Sequence, residues 1–275
     1  MTHDQTQPTP SVPTEGPATR CEMAGGIATI TLDRSEQRNA LSLDLVNSLG
    51  DHLSEAQHAD GVRVIVLTNS GPAFCAGADL KRGRSPAVAA EARWTLSEIF
   101  GLITDGRRPV IAKIAGHCMG GGVGLAAACD LSVAADDVQF GFTEVRRGVA
   151  PAVISVICLA KLGRADAAEL FLTGRKIGAA EAANVGLINA AVPRPRLEAV
   201  TLELADEIMA GAPRALAVAK QLIRDVPAME RQAAFAWTSR LSAELFASEE
   251  AAAGMAAFRD KVDPPWVPDR ADRSS

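Results

Sequence analysis

The stretch 115–131, AGHCMGGGVGLAAACDL, constrains the fold more than any other. An apolar, strand-like run, Val110–Ala115, leads into three consecutive glycines, Gly120 to Gly122, and these lead into a small-residue helical run, Val123–Cys129. Glycine costs about 1 kcal/mol relative to alanine inside a helix, so a triplet at a strand-to-helix junction points to a need for space. Two readings meet that need. A neighbouring element crowds the backbone so that only glycine fits, or a ligand approaches the bare N–H groups of the helix N-terminus, which are unpaired and carry partial positive charge. A second stretch, Phe74-Cys75-Ala76-Gly77-Ala78-Asp79-Leu80, repeats the pattern after the apolar run Val62–Thr68. Two such turns aimed at one oxygen would make an oxyanion hole, and this favours the second reading.

A chain of 275 residues with 48% apolar composition can bury a large core, as one domain or one domain with an appendage. Alanine is abundant and tyrosine absent, which suits a core of close helix contacts. No apolar run reaches the roughly 18 residues that span a bilayer, so no membrane association is expected. The Pro/Thr-rich start lacks the apolar centre of a signal peptide and reads as a disordered tail over 1–20. A net charge of −5 argues against a broad nucleic-acid surface; the only basic patch is Lys81-Arg82-Gly83-Arg84.

The five cysteines, Cys21, Cys75, Cys118, Cys129 and Cys158, are odd in number and scattered, with no CxxC pair. Neither a zinc site nor a disulfide framework is indicated, and free thiols in a reducing cytoplasm are expected. Cys75 and Cys118 flank the two turns, but nothing nearby lowers a thiol pKa, so both read as inert packing residues. Of the histidines, His3 falls in the tail, and His52 and His58 on a solvated helix face. His117, beside the triplet, reads as a hydrogen-bonded loop residue in preference to a catalyst. Dinucleotide, phosphate-loop, nucleophile-elbow and zinc-protease motifs are absent.

In chain order, Ile27–Leu32 alternates as a strand, and Ser42 caps a helix running to His58 with Leu45, Leu49 and Leu53 on one face. Val62–Thr68 reads as a strand buried on both faces. A helix is expected from Pro86 to Thr104, then the strand Val110–Ala115, the helix Val123–Cys129, a short strand Leu131–Ala134, and a strand and turn over 138–144. This alternation implies an α/β fold with βαβ units and a largely parallel sheet. After Pro151 the pattern turns almost wholly helical: 152–162, 165–172, 179–185, 197–210, 213–224, 229–246 and 249–261. These helices carry more apolar face than the sheet needs, so part of it is expected to pack on another subunit.

The segments AFCAGADL, GHCMGGGVGLAAACDL, FGFTEVRRGVAP and LFLTGRKIGAAEAANVGLINAAVP, in that order, resemble the enoyl-CoA hydratase/isomerase (crotonase) superfamily. The likeness runs from about Ile27 to the terminal AFRDKVDPPW. It implies an α/β, crotonase-like spiral of ββα units over 21–195, a C-terminal helical trimerisation region over 196–263, and a frayed tail over 264–275. It also implies a homotrimer or hexamer acting on an acyl-CoA thioester, as in fatty-acid metabolism. By position, the oxyanion donors would be the N–H groups of Ala78 and Gly121. Backbone near Ala40 and Ala76 would meet the adenine, and Asp79 and Leu80 would adjoin the CoA. Lys81 would approach the CoA phosphates, although ordinary solvated charge is an alternative. Phe258 and Lys261 would reach a neighbouring subunit's CoA, with the same alternative for Lys261. No cofactor beyond the CoA of the substrate is implied.

Hydratases of this superfamily typically carry two glutamates, one in a GGGxE pattern and one in FGxxE. Here the first position is Gly124 and the second is Glu144. The apolar neighbours Phe140, Phe142 and Val145 would desolvate the Glu144 carboxyl and raise its pKa. The pattern looks most like a subgroup resembling methylglutaconyl-CoA-type hydratases with one glutamate. Hydration of a 2-enoyl-CoA, with Glu144 as the single acid/base, is therefore expected. One carboxylate also suffices for a 3,2-enoyl-CoA isomerase, and a catalytically weak acyl-CoA-binding protein is the alternative from another class.

Overall fold

The structure is a computed structural model that describes residues 16–79 and 91–267. The chain begins with strand β1 (Thr19–Ala24), whose first two residues fall in the stretch read as tail. β1 pairs antiparallel with β2 (Ile27–Leu32) across the two-residue turn Gly25-Gly26, both glycines having positive φ. A Gly-Gly pair before an alternating strand is a hairpin signal, so β1 was legible in the chain. Helix α1 (Leu43–His58) follows, with the Ser42 hydroxyl accepting from the Leu45 N–H. His52 is half-buried, its Nδ1 2.7 Å from Thr19 Oγ1, and so corrects the solvated reading; His58 is exposed.

β3 (Val64–Asn69) is buried along its whole length. Ile65 and Leu67 join the main core with α1, whereas Val64 and Val66 pack with Ala205 and Met209 on the other face. β4 (Ala73–Cys75) follows. Of the helix expected over 86–104, residues 86–90 lie outside the described residues and 91–95 are not helical; helix α2 (Leu96–Thr104) starts where Thr95 and Glu98 form a reciprocal capping box. β5 (Val110–Ile114), β6 (His117–Met119), α3 (Gly121–Ala128), β7 (Leu131–Ala135) and β8 (Gln139–Gly141) come next. α4 (Ala152–Cys158), α5 (Arg164–Thr173), β9 (Lys176–Gly178), α6 (Ala179–Asn184) and β10 (Ala190–Val192) follow. The described chain ends with α7 (Leu197–Ala210), α8 (Pro213–Asp225), α9 (Arg231–Phe246) and α10 (Glu249–Asp260).

β9 and β10 fall in the gaps of the stretch read as almost wholly helical. Each has three residues, too short for a period-2 pattern to show, and each is recruited by a strand already in place. The strands form a six-stranded sheet, β1-β2-β3-β5-β7-β10, and a four-stranded sheet, β4-β6-β8-β9. Three times a strand of the first sheet is followed by a short strand of the second and, next among the described helices, by a helix, as in β3–β4–α2, β5–β6–α3 and β7–β8–α4, which is the expected ββα spiral. No helix among the described residues is long and apolar enough to cross a membrane.

The C-terminal layer is pinned to the core by buried charge. The Lys220 ammonium, on α8, sits 2.8 Å from Asp130 and donates to the carbonyls of Ile103 and Arg108. Asp130 in turn accepts from the Val110 N–H at the start of β5. α9, by contrast, buries no residue in this chain.

Candidate active site

Two turns meet where β4 and β6 run side by side, with Cys75 opposite Cys118. After β4 the chain turns at Gly77, φ +86°, and a β-carbon there would lie 2.9 Å from the Met119 carbonyl and 3.3 Å from the Gly121 nitrogen. After β6 it turns at Gly120, φ +53° and ψ −121°, into α3. Both positions need a residue without a side chain, for conformation and for space. The two small-residue turns seen in the chain are therefore in contact.

Gly121 is the first residue of α3, so its N–H has no carbonyl one helical turn before it. Ala78 is exposed and forms an isolated parallel bridge with Leu41, whose N–H donates to Gly77 at 2.8 Å; that bond does not consume the Ala78 N–H. The Leu41 side chain lies over Gly121, where a β-carbon would come within 2.5 Å of Cδ1.

Segment 38–41 is laid along segment 76–78, with Ala76 N–H donating to the Arg38 carbonyl at 3.0 Å. This brings Ala40 and Ala76, both half-buried, to the same edge as Ala78. The organiser is Asn39, which sequence reasoning missed. It is fully buried at φ +51°, donates from Nδ2 to the carbonyls of Ala73 (2.8 Å) and Ser70 (3.1 Å), and accepts from the Arg34 N–H (2.7 Å). Its readable signal is the Arg-Asn turn chemistry before the helix cap, since asparagine tolerates the left-handed region. Asp79 is half-buried beside Ala78; Leu80 and Lys81 lie outside the described residues.

Glu144 is the second residue of a short 3-10 turn, Thr143–Arg147, one residue after β8. β8 lies beside β6 and accepts the Gly120 N–H on the Gly141 carbonyl at 2.9 Å, so the glutamate arrives next to the glycine turn. A β-carbon at Gly120 would lie 3.0 Å from Glu144 Oε1. Oε2 is buried with no hydrogen-bond partner. Burial holds this carboxyl above the usual carboxylate range, opposed by a backbone hydrogen bond and by the Arg147 guanidinium, which donates to Thr143 Oγ1 at 2.9 Å.

Gly124, one turn into α3, is buried against α4 and α2. A β-carbon there would overlap Ile154 Cγ2 and lie 2.9 Å from Ile154 Cβ and Phe100 Cζ. His117 is exposed and accepts the Gln139 N–H on Nδ1, a loop-pinning role. Cys75, Cys129 and Cys158 are pushed up to about 12 by burial, and Cys118 well above the usual thiol range, so these buried thiols are unreactive.

Phe258 and Lys261 are not brought to these turns by their own chain. α10 is held by Trp266, which packs on Gly254 and donates to the Ala210 carbonyl, and whose own carbonyl accepts from Arg63 just before β3. That is the opposite end of β3 from the β4 turn. Phe258 is 86% exposed and Lys261 is exposed. Two cavities of about 290 and 400 Å³ lie elsewhere, along α8 and on the β1–β2 face, and neither is lined by Gly121 or Glu144.

The sequence profile described as enoyl-CoA hydratase/isomerase matches residues 22–269. The chain is 33% identical over 242 residues to a Mycobacterium bovis protein named probable enoyl-CoA hydratase echA8, covering 88% of this chain and 94% of that one. It is 32% identical over 250 residues to the mevalonyl-coenzyme A hydratase sidH of Aspergillus fumigatus, covering 89% and 92%. A crystal structure of an enoyl-CoA hydratase from Mycobacterium smegmatis superposes with a TM-score of 0.84 at 29% identity, covering 91% of this chain and 99% of that one.

Proposed function

The chain belongs to the enoyl-CoA hydratase/isomerase family, and from that premise we propose that it adds water across the 2,3 double bond of a 2-enoyl-CoA thioester. The observation that carries this reading is the Glu144 carboxylate. It faces Gly120 at the mouth of α3 with one oxygen buried and unpartnered.

In this reading the thioester oxygen accepts the N–H groups of Ala78 and Gly121. Addition at C3 moves the double-bond electrons onto that oxygen as an enolate, and two preorganised amides stabilise it by roughly 3 kcal/mol each. Glu144 takes a proton from the attacking water, and the same carboxyl returns a proton to C2 as the enolate collapses. Its raised pKa suits both roles. Ala40 and Ala76 offer backbone to the adenine, Asp79, Leu80 and Lys81 adjoin the CoA, and CoA enters only as part of the substrate.

Phe258 and Lys261 serve a neighbouring subunit in this reading. The supporting observation is apolar surface without cover: α9 buries nothing, and Phe235, Phe246 and Phe258 are 63%, 72% and 86% exposed. We assign these faces to a homotrimer or hexamer; a monomer in sedimentation at micromolar concentration would contradict it. A reducing cytoplasm suits the free thiols.

One observation favours a second reading. The wall at Gly124 is formed by Ile154 and Phe100, both apolar, so a water there has one carboxylate to hold it. A base that moves a proton between carbons, as in 3,2-enoyl-CoA isomerisation, needs no second one. Mass spectrometry of products from a panel of 2- and 3-enoyl-CoAs decides. Gain of one water supports hydration, unchanged mass with a shifted double bond supports isomerisation, and binding without turnover would leave an acyl-CoA-binding protein.

A further inference from the structure

Position 124 faces away from solvent, yet its neighbours come from two other helices. Ile154 is the third residue of α4 and 3% exposed, and Phe100 lies within α2 and is 4% exposed. Both close on the bare Cα of Gly124 more tightly than any β-carbon tolerates. Gly124 is also held in the helix, its N–H donating to the Gly120 carbonyl at 3.4 Å, so it cannot swing aside without disturbing the turn that faces Glu144. Close packing in a core leaves no slack for an added group of this size.

We propose that Ile154, backed by Phe100, is the residue that limits this site to one carboxylate, by filling the space through which any side chain at position 124 must leave the helix. The glycine is the consequence of the isoleucine: the two positions are coupled, and a second acidic group becomes admissible only when residue 154 is made small. The catalytic part of this claim rests on Glu144 being the acid/base; the packing part does not.

Thermal unfolding of the full chain tests the packing. A glycine-to-alanine change inside a helix ordinarily raises stability. Gly124→Ala should instead lower the midpoint by about 4 °C or more, the scale expected for overpacking in a domain of this size. Measured against Ile154→Ala, the further change Gly124→Ala should cost less than half as much. Equal losses in both backgrounds, or a Gly124→Glu variant with an unchanged midpoint, would overturn the proposal. If Gly124→Ala yields no soluble protein, recovery of soluble Gly124→Ala/Ile154→Ala supports the coupling and loss of both overturns it.

Turnover of crotonyl-CoA tests the chemistry. Gly124→Glu/Ile154→Ala should exceed Gly124→Glu by at least tenfold. If the midpoints show the coupling but this gain is missing, the packing claim stands and the claim that residue 154 limits the chemistry of the site is overturned.

Discussion

The Glu144 carboxylate stands so close over Gly120 that a β-carbon at residue 120 would lie 3.0 Å from Oε1. The residue that caps α3 and the residue that would handle protons thus share one small volume. Their chain separation is bridged by the β6–β8 pairing and by the Gly120-to-Gly141 hydrogen bond.

Replacing Glu144 by Gln keeps the shape and removes the base. Turnover of the best enoyl-CoA substrate should drop by at least ~10²-fold, in line with general acid–base catalysis. Thermal stability at neutral pH should hold or rise, because the desolvation cost of a buried charge is removed. Near-wild-type turnover in a stopped assay would refute the role.

Gly120→Ala should be harmful for two separate reasons. The φ of +53° is unfavourable for any residue with a β-carbon, and the added methyl meets the carboxylate. A loss of about 1 kcal/mol or more in denaturant unfolding, together with a fall in turnover exceeding tenfold, is expected. Full activity would mean that the turn relaxes away from Glu144 at little cost.

The pH dependence follows from burial. Desolvation raises the Glu144 pKa above its ordinary value of 4.5, with Arg147 pulling it down. Hydration needs the ionised form, so the acid limb of kcat should lie above the usual carboxylate range, and Arg147→Met should move it higher. A carboxyl whose folded pKa is raised binds more protons folded than unfolded between the two values. Its contribution to stability is therefore fully present below the unfolded pKa and is lost as pH rises through the folded one. Glu144→Gln should flatten that part of the stability curve, and an unaltered slope would exclude Glu144 as its source.

Lys220→Met should cut the tie between the C-terminal layer and the core. It strands Asp130, already raised by burial, without its ammonium partner, a kind of loss worth about 3–5 kcal/mol. Urea unfolding should show it. The double variant Lys220→Met/Asp130→Asn should recover part of the loss; no recovery would mean that the two carbonyl contacts, and not the ion pair, hold α8.

Much of this was written locally. The Ser42 cap, the strands at Ile27 and Val110, the glycine triplet and the seven C-terminal helical segments show themselves through period, capping chemistry and glycine content, which are properties of a few neighbouring residues. The start of α2 at Leu96 is set by the reciprocal cap of Thr95 and Glu98, a signal carried by two residues of the chain that the expected helix ran through. The strands β9 and β10 were missed because three-residue elements owe their form to a partner strand.

By itself, the chain determined that two small-residue turns leave strands and enter segments fit for an anionic oxygen, and that one glutamate follows in an apolar setting. Only the tertiary structure decided that the turns touch, that Asn39 lays segment 38–41 beside them, and that Ile154 and Phe100 occupy the seat at Gly124. The reason is physical: backbone preference acts over a turn or two of chain, whereas close packing joins residues that the sequence holds 30 or more positions apart, as Gly124 and Ile154 are.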